Sequence, residues 1–350
     1  MIMPIPKTSY IVMLILTTLL ISNVQAYPIN ITDNFGCDVT IEKAPERIIS
    51  LSPCNTEILF AVGAGNRVVG GTTYDQYPQE AVNLPKIGGF STINIEAVVN
   101  LTSDLILAEH GNGEDTINAL KSLNHTVVSL NPKTMDDILD NIRLVGHITG
   151  NADKAALITT DMAQQIKDMT SKTENLTLDQ RPRVLYLVWH DPIYAAGSGS
   201  YPNDLIWMAG GNNIIEVEGW PIISLEQVIN KNPQIIICSG MGGGSYTIME
   251  AITSNPILAQ TDAVQNQKVY AIEDPNIIEH AGPRITQGLE ELHSYIAPEI
   301  TQHSELSTIT MDEKPDVTGA EDQENTSQLP GFGMLLAASM MLVVYSMRKL

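Results

Sequence analysis

Four apolar runs rich in β-branched residues alternate with helix-forming segments in the first half of the chain, and each run has the length of a buried strand. The predicted strands are "RIISLS" (47–52), "VVGGT" (68–72), "DLILA" (104–108) and "TVVSL" (126–130). The predicted helices between them are Asn55–Val62, capped by Asn55, "NIEAVVN" (94–100), capped by Asn94, and Asp115–Leu123. Strands separated by helices predict a parallel sheet with right-handed crossovers.

The second half of the chain shows the same alternation. Its predicted strands are "RVLYLVW" (183–189), "IIIC" (235–238) and "KVYAI" (268–272). Its predicted helices are Asn203–Ala209, Leu225–Asn230 and Arg284–Tyr295. The two halves therefore predict two α/β units of similar construction.

One segment of each half aligns with the other without a gap. "NIEAVVNLTSDLILAEHG" (94–111) lies over "SLEQVINKNPQIIICSG" (224–240), which places Glu96 on Glu226 and Val98 on Val228. Apolar runs can resemble one another by chance. Agreement across a helix, a turn and a strand instead favours two lobes built on one plan.

A long uninterrupted helix is predicted between the two units, at Asn151–Lys172. Its apolar positions recur at helical spacing and are Ala155, Ile158, Met162, Ile166 and Met169. Such a helix is about 33 Å long and could join the lobes as a rigid strut, or serve as a crossover within one lobe. The predicted fold is α/β, with two doubly wound parallel-sheet lobes (27–150 and 174–298) joined by one long rigid helix (151–173). The ligand cleft is predicted between the lobes.

The two ends of the chain have different characters. Residues 1–26 contain Lys7, an apolar run and "VQA", the pattern of a signal peptide, and five Asn-x-Ser/Thr sequons fit an exported chain. Residues 301–328 hold seven acidic residues and one lysine, so 299–328 is predicted to be an acidic disordered stalk. Residues 329–350 contain 19 uncharged residues followed by Arg348 and Lys349, which predicts a membrane anchor at the cell surface.

Charge and motifs exclude several classes of function. The net charge of −21 argues against nucleic acid as a partner, since phosphates require basic patches. The three cysteines, Cys37, Cys54 and Cys238, form neither a zinc motif nor a disulfide framework. The chain contains no G-x-S-x-G, H-E-x-x-H or P-loop motif, so a binding protein is favoured over an enzyme. An adhesion protein would explain the anchor but not the internal repeat.

Aromatic and small polar residues follow the predicted strands in both units. In open parallel sheets, ligands bind outside the carboxyl ends of the strands, so these residues predict a site for a large ligand with polar edges. The candidate ligand-binding residues are Cys54, Asn55, Tyr74, Tyr77, Phe90, His110, Trp189, His190, Tyr194, Trp220, Met241, Asp274 and His280. The alternative to ligand binding for the three histidines is a structural role as hydrogen-bonded loop residues. A site for a bare metal ion is disfavoured, because no histidine-rich loop is present.

Residues 44–297 resemble the ABC-transporter substrate-binding proteins for cobalamin, iron–siderophore and haem. The resemblance rests on "PERIISLSPCNTEILFAVGAGNRVVGGT", "YDQYP", "IGGFSTINIEAVVNLTSDLILA", "GGNNIIE", "GWPIISLEQVINKNPQIII" and "AGPRITQGLEEL". The cobalamin-binding members look most similar, through "LSPCNTE", "YDQYP" and "GWP". At the opposite end of the chain, "PGF" (330–332) with its apolar helix resembles an archaeal sorting signal.

This resemblance implies a corrinoid ligand, with haem or a ferric siderophore as alternatives, and no resident cofactor. It implies that Tyr74, Phe90, Trp189 and Trp220 line the corrin faces and that groups near Cys54 and Asn55 meet its edge. His280 would be a possible axial ligand of the bound metal. Glu96 and Glu226 would dock onto an ABC-importer permease dimer, although a role at the helix dipole would also explain them. We expect a monomer.

Overall fold

The computed structural model describes residues 26–240 and 244–312, with side chains through residue 300. The predicted signal peptide (except residue 26), residues 313–328 of the predicted stalk, the predicted anchor at 329–350 and candidate Met241 lie outside the described residues. Within the described residues, no helix combines the length and apolar character that a membrane span requires.

The N-terminal lobe is built on a four-stranded parallel sheet of order β4-β3-β5-β6. A hairpin of β1 (Ile29–Thr32) and β2 (Asp38–Ile41) precedes this sheet. The strands of the sheet are β3 (Ile48–Ser50), β4 (Val68–Gly70), β5 (Leu105–Glu109) and β6 (Val127–Leu130). Its helices are α1 (Pro53–Ala61), α2 (Ile95–Asn100), α3 (Glu114–Ser122) and α4 (Met135–Ile148). All four predicted strands are present. The antiparallel β1–β2 hairpin was not predicted from the sequence.

The cap of α1 differs from the prediction. Ser52, not Asn55, is the N-cap, and its hydroxyl accepts a hydrogen bond from the Asn55 backbone amide. Pro53 then occupies the first turn, where its missing N–H costs nothing. Asn55 is buried inside the first turn, and its side chain donates to the Ala108 carbonyl on β5 at 3.1 Å.

The C-terminal lobe contains a second sheet of order β10-β8-β7-β11-β12, with β9 paired to β7. Its strands are β7 (Arg183–His190), β8 (Ile193–Ala195), β9 (Asn212–Asn213), β10 (Ile222–Ile223), β11 (Ile235–Cys238) and β12 (Val269–Ala271). Helix α5 (Ala152–Thr170) precedes this lobe. The helices of the lobe are α6 (Tyr201–Met208), α7 (Leu225–Lys231), α8 (Ser245–Thr253), α9 (Asp262–Gln265), α10 (Asn276–Glu279) and α11 (Ile285–Asp312).

This second sheet is mixed, whereas the prediction was purely parallel. Strands β7, β11 and β12 are parallel, but β8 runs antiparallel to β7 and β10 runs antiparallel to β8. The chain reverses at Asp191–Pro192, so Tyr194 lies on a strand and faces Trp189 as a cross-strand partner. Strand β8 was not predicted from the sequence, and Tyr194 was expected in the loop that follows β7.

Helix α5 lies between the two lobes, as the strut interpretation predicted. It packs against α4 of the N-terminal lobe and contacts α6 of the C-terminal lobe. Its apolar stripe joins one hydrophobic core that includes Leu107 and Val128 of the first sheet and Tyr186 and Ile235 of the second. The predicted α/β fold with two lobes joined by a long helix is confirmed.

Helix α11 extends past residue 298, the predicted end of the C-terminal lobe. It runs from Ile285 to Asp312 and includes residues 299–312 of the predicted stalk, which the sequence analysis expected to lack regular structure. The turns up to Ile296 bury Ile285, Leu289, Leu292 and Ile296 completely. This burial explains why the helix forms in its first part.

Candidate functional site

Elements that follow the strands of the two sheets meet at the junction between the lobes. Arg284, beyond β12, pairs with Glu57 of α1, which follows β3, at 2.7 Å. The backbone amide of Met135, at the start of α4, donates to Asp204 of α6 at 3.2 Å. Elements at the carboxyl ends of both sheets therefore meet at one junction, and open α/β sheets bind ligands outside these strand ends.

The C-terminal lobe presents three aromatic side chains at this end of its sheet. Trp189, Tyr194 and Trp220 are 41%, 36% and 42% exposed, which is high for large apolar groups. The Trp189 indole N–H donates to the Asp191 carbonyl at 2.9 Å, and Trp220 makes an edge contact with Tyr201 at a centroid distance of 6.1 Å. These contacts hold the two tryptophan rings in place without burying them, as a binding surface requires.

The N-terminal lobe presents two tyrosines from the "YDQYP" loop. Tyr74 and Tyr77 are 55% and 49% exposed. Between them, Asp75 is buried and accepts hydrogen bonds from the Thr72 hydroxyl at 2.7 Å and the Thr56 hydroxyl at 3.0 Å. Burial raises the pKa of Asp75, while these hydrogen bonds oppose the rise. The buried aspartate thus anchors a loop whose tyrosines remain exposed.

Three other candidates are less exposed than these tyrosines. They are Phe90 and the two residues of α1 that were predicted to meet the ligand edge. Phe90 packs over Gly111, where an added Cβ would lie 2.2 Å from the ring. Cys54 and Asn55 are buried, 5% and 0% exposed, so their side chains do not line the open cleft. Burial and the neighbouring Glu109 carboxylate raise the pKa of the Cys54 thiol well above its usual value, which keeps it protonated.

The three candidate histidines are in different environments. His110 is exposed and its ring contacts Phe35, beside the β1–β2 hairpin, at 5.8 Å. His190 packs on Trp189 at 5.1 Å, and its buried Nδ1 has no hydrogen-bond partner among the described residues. His280 lies at the lobe junction, where its Nδ1 is 2.6 Å from a Glu57 oxygen. The structure therefore brings His280, but not His110, into the junction.

A charged network joins the lobes at the base of the cleft. Arg284 donates two hydrogen bonds to Glu57, at 2.9 and 2.7 Å, and a third to Asp274 at 3.1 Å. The Glu57 side chain is 2% exposed, and the guanidinium also lies 4.2 Å from the centre of the Tyr77 ring. Candidates Asp274, His280 and Tyr77 thus belong to one connected cluster.

Glu279, next to His280 in the chain, is a second ionisable group at this base. Its carboxylate accepts a hydrogen bond from the Ser239 hydroxyl at 2.7 Å, and its backbone carbonyl accepts one from the Tyr201 hydroxyl at 3.1 Å. Burial raises the pKa of Glu279 to about 7, against the opposing effects of Ser239 and His280.

This raised pKa predicts a specific pH dependence of stability. Because the folded pKa exceeds the unfolded value of about 4.3, the protonated carboxyl stabilises the fold below that value. The contribution is lost as the pH rises towards 7. Glu279→Gln cannot ionise, so relative to the natural chain it should gain about 3 kcal/mol in free energy of unfolding between pH 4.5 and pH 8. Urea unfolding of both proteins at the two pH values measures this, and parallel pH profiles would contradict it.

The paired glutamates occupy equivalent positions on equivalent helices. Glu96 is the second residue of α2, capped by Asn94, and Glu226 is the second residue of α7, capped by Ser224. Both side chains are exposed, and each helix leads into a central strand, β5 or β11. The structure thus supports the internal repeat, and each lobe presents one exposed carboxylate at a helix start.

Glu57 and Glu109 were not among the site residues predicted from the sequence, and Arg284 was given no role. One signal for Glu57 is its place in α1, where every residue from Pro53 to Leu59 is buried. An acidic residue in such a helix needs a partner, because burying an unpaired charge is costly. The sequence offered no means of identifying Arg284, 227 positions away, as that partner.

Comparison with known proteins agrees with this architecture. A family model for periplasmic binding proteins matches residues 48–275. An uncharacterised ABC transporter substrate-binding lipoprotein of Bacillus subtilis is 31% identical over 281 residues, which are 79% of this chain and 87% of the relative. A vitamin B12-binding protein of Vibrio cholerae is 32% identical over 255 residues, covering 72% of this chain and 89% of the relative.

A solved structure also matches this chain in fold and in sequence. The crystal structure of the periplasmic vitamin B12-binding protein of Vibrio cholerae superposes with a TM-score of 0.64 at 30% identity, covering 73% of this chain and 98% of that one. The family-model match extends from β3 through β12 and so includes the sheets of both lobes and the helix between them. The chain therefore belongs to the periplasmic binding protein family.

Proposed function

We propose that the protein is an extracytoplasmic substrate-binding protein that binds a corrinoid in the cleft and delivers it to an ABC importer. The observation that carries this proposal is the set of exposed aromatic side chains at the carboxyl ends of both sheets: Tyr74, Tyr77, Trp189, Tyr194 and Trp220. A corrin ring offers broad apolar faces and amide-bearing edges. Exposed aromatic rings would cover such faces, and nearby polar groups would meet the edges.

The relatives support the same ligand class. The vitamin B12-binding protein of Vibrio cholerae matches this chain at 32% identity over 255 residues, and its solved structure matches at 30% identity. Haem and ferric siderophores also offer flat or bulky apolar surface and remain the competing ligands in the test.

Calorimetric titration of the full chain with cyanocobalamin, haemin and a ferric siderophore tests the ligand class. We expect saturable binding of cyanocobalamin with one site per chain and a clear preference over the other two. Tight binding of haemin or the siderophore without cyanocobalamin binding would overturn the corrinoid proposal. It would leave the assignment to a substrate-binding protein in place.

Removal of the cleft aromatics should weaken corrinoid binding. Trp189→Ala and Trp220→Ala are each expected to reduce the binding free energy by about 1–3 kcal/mol, the loss typical of a well-packed aromatic contact. Trp207→Ala is the matched control. Trp207 lies on α6 and is also exposed, at 48%, but the Arg181 guanidinium stacks on its ring. Calorimetry on the three variants measures the effect. Equal affinities for all three would show that Trp189 and Trp220 do not contact the ligand.

Delivery to the importer would use the two exposed glutamates. Glu96 and Glu226 lie one on each lobe at matched positions, which suits a two-fold symmetric permease whose subunits each offer a basic partner. Exposed first-turn acids also interact with the helix dipole, by about 0.3–1 kcal/mol. The uptake experiment in the Discussion separates these two roles.

A further inference from the structure

The base of the cleft offers hydrogen-bond acceptors, and the guanidinium of Arg284 at this base is already occupied. We infer that this arrangement makes the site specific for corrinoids whose edge groups are neutral amides and excludes macrocycles whose edge groups are carboxylates. The inference rests on the proposed corrinoid function and names the edge chemistry that the site accepts. A ring held between the aromatic side chains of the two lobes would turn its edge groups towards this base.

Arg284 would be the natural partner of a ligand carboxylate, because a guanidinium binds carboxylates through paired hydrogen bonds. Its donors are already used within the protein, by Glu57 at 2.9 and 2.7 Å and by Asp274 at 3.1 Å. The guanidinium also lies 4.2 Å from the centre of the Tyr77 ring, and the side chain is only 13% exposed. A ligand carboxylate could pair with Arg284 only by displacing Glu57 or Asp274, which would leave that residue unpaired.

Asp274 is held as a hydrogen-bond acceptor beside Arg284. Its Oδ2 accepts from Arg284, and its Oδ1 accepts from the Asn276 backbone amide at 3.1 Å and from the Asn276 side-chain amide at 2.9 Å. These three donors fix the orientation of the carboxylate. The side chain remains 48% exposed, and a carboxylate has about four acceptor positions, so capacity remains for a ligand. Asp274 can therefore accept a ligand N–H, but it repels a ligand carboxylate.

His280 supplies a second acceptor at this base. The Glu57 carboxylate accepts a hydrogen bond from His280 Nδ1 at 2.6 Å, so the neutral ring carries its proton on Nδ1 and its lone pair on Nε2. Within the described part of the chain, Nε2 makes no hydrogen bond. The side chain keeps 15% of its surface exposed, so Nε2 is open to the N–H of a ligand amide.

Two further carboxylates add negative charge near this base. Burial, Glu279 and Glu109 raise the pKa of the Tyr201 hydroxyl well above its usual value, because both carboxylates lie close to it. Lys133, a cation that follows β6, is paired with Glu218 of the other lobe at 3.5 Å. A ligand carboxylate at the base would lose its water, find the guanidinium occupied and meet like charges, which is strongly unfavourable.

Calorimetry with two corrinoids that differ only in their edge groups tests the inference on the full chain. Dicyanocobyrinic acid carries carboxylates on its edge side chains, and its heptaamide carries primary amides at the same positions. The titrations are made at pH 8, above the pKa of about 7 of Glu279. The heptaamide should bind more tightly than the acid by roughly a hundredfold or more, because like charges across a contact cost several kcal/mol.

Asp274→Asn is the test variant, because it removes the negative charge and keeps the size of the side chain. It should reduce the preference for the heptaamide by roughly tenfold or more, the usual effect of losing a charged hydrogen-bond partner. Glu109→Gln is a second test variant, which lowers the negative charge from the other lobe and should also reduce the preference. Asp140→Asn is the control, because Asp140 lies on α4, is 71% exposed and pairs with Arg143. It should keep the full preference.

The outcomes separate this inference from the proposed function. Equal affinities of the heptaamide and the acid would overturn selection by edge groups and leave the corrinoid site in place. A preference that stays undiminished in both Asp274→Asn and Glu109→Gln would mean that other residues make the selection, and the inference would fall. If neither the heptaamide nor cyanocobalamin binds, the proposed function is overturned and this inference with it.

Discussion

Replacement of Arg284 with alanine is expected to lower the free energy of unfolding by about 3–5 kcal/mol, because it leaves a buried carboxylate without its main partner. Glu57 is 2% exposed and receives two hydrogen bonds from the guanidinium. After the substitution, only the contact with His280 would remain in the described network. The loss should also loosen the junction between the lobes, since Arg284 and Glu57 belong to different lobes. Urea unfolding monitored by tryptophan fluorescence measures the change.

Arg143→Ala provides the matched control. Arg143 pairs with Asp140 at 2.7 Å, but the two side chains are 49% and 71% exposed. An exposed pair of this kind contributes about 1 kcal/mol or less. Arg284→Lys should be intermediate, because a lysine keeps the charge but cannot form the bidentate contact. Equal losses for Arg284→Ala and Arg143→Ala would show that the buried network does not hold the lobes together.

Reversal of both paired glutamates is expected to abolish transport while ligand binding persists. The double variant Glu96→Lys, Glu226→Lys would place like charges against a basic permease surface, which costs several kcal/mol. Uptake of labelled corrinoid by vesicles that contain the matching permease should therefore fall by roughly two orders of magnitude. Each single variant should lose less than the double variant. Calorimetry on the same proteins should show corrinoid affinity close to that of the natural chain.

Asp153→Lys tests whether the loss of uptake comes from lost docking or from a changed helix dipole interaction. Asp153 is also an exposed first-turn acid, but it lies on α5, the helix between the lobes. Its reversal changes the helix dipole interaction to a similar extent and should leave uptake unchanged. Normal uptake by the double glutamate variant would mean that Glu96 and Glu226 act only on their own helices. The internal repeat would then reflect only the construction of the two lobes.

Helices and strands of the fold could be predicted from the sequence where a local residue pattern determines them. Strand β11 is buried on both faces, so its residues form an uninterrupted β-branched run ending at Cys238. The apolar stripe of α5 predicted a helix that packs along one side, and the structure places it between the lobes. The repeat predicted α2 and α7 as equivalents, because Glu96 aligns with Glu226 and the same buried valine recurs at Val98 and Val228.

Other features depend on contacts that no local pattern contains. Strand β8 has three residues and follows a Pro-containing turn, so Tyr194 looked like a loop residue. The pairing of Glu57 with Arg284 joins residues 227 positions apart. Asn55 seemed to be a cap because Asn favours caps, but the Ser-Pro pair before it starts the helix one turn earlier. Tertiary packing decided each of these cases.

The position of a bound corrinoid, determined by crystallography of the full chain with cyanocobalamin, tests the central claim most directly. We expect the corrin ring in the cleft between the lobes, with Trp189 and Trp220 of one lobe and Tyr74 of the other in contact with its faces. A corrinoid found outside the cleft, or between the lobes without contact to these aromatic side chains, would contradict the account.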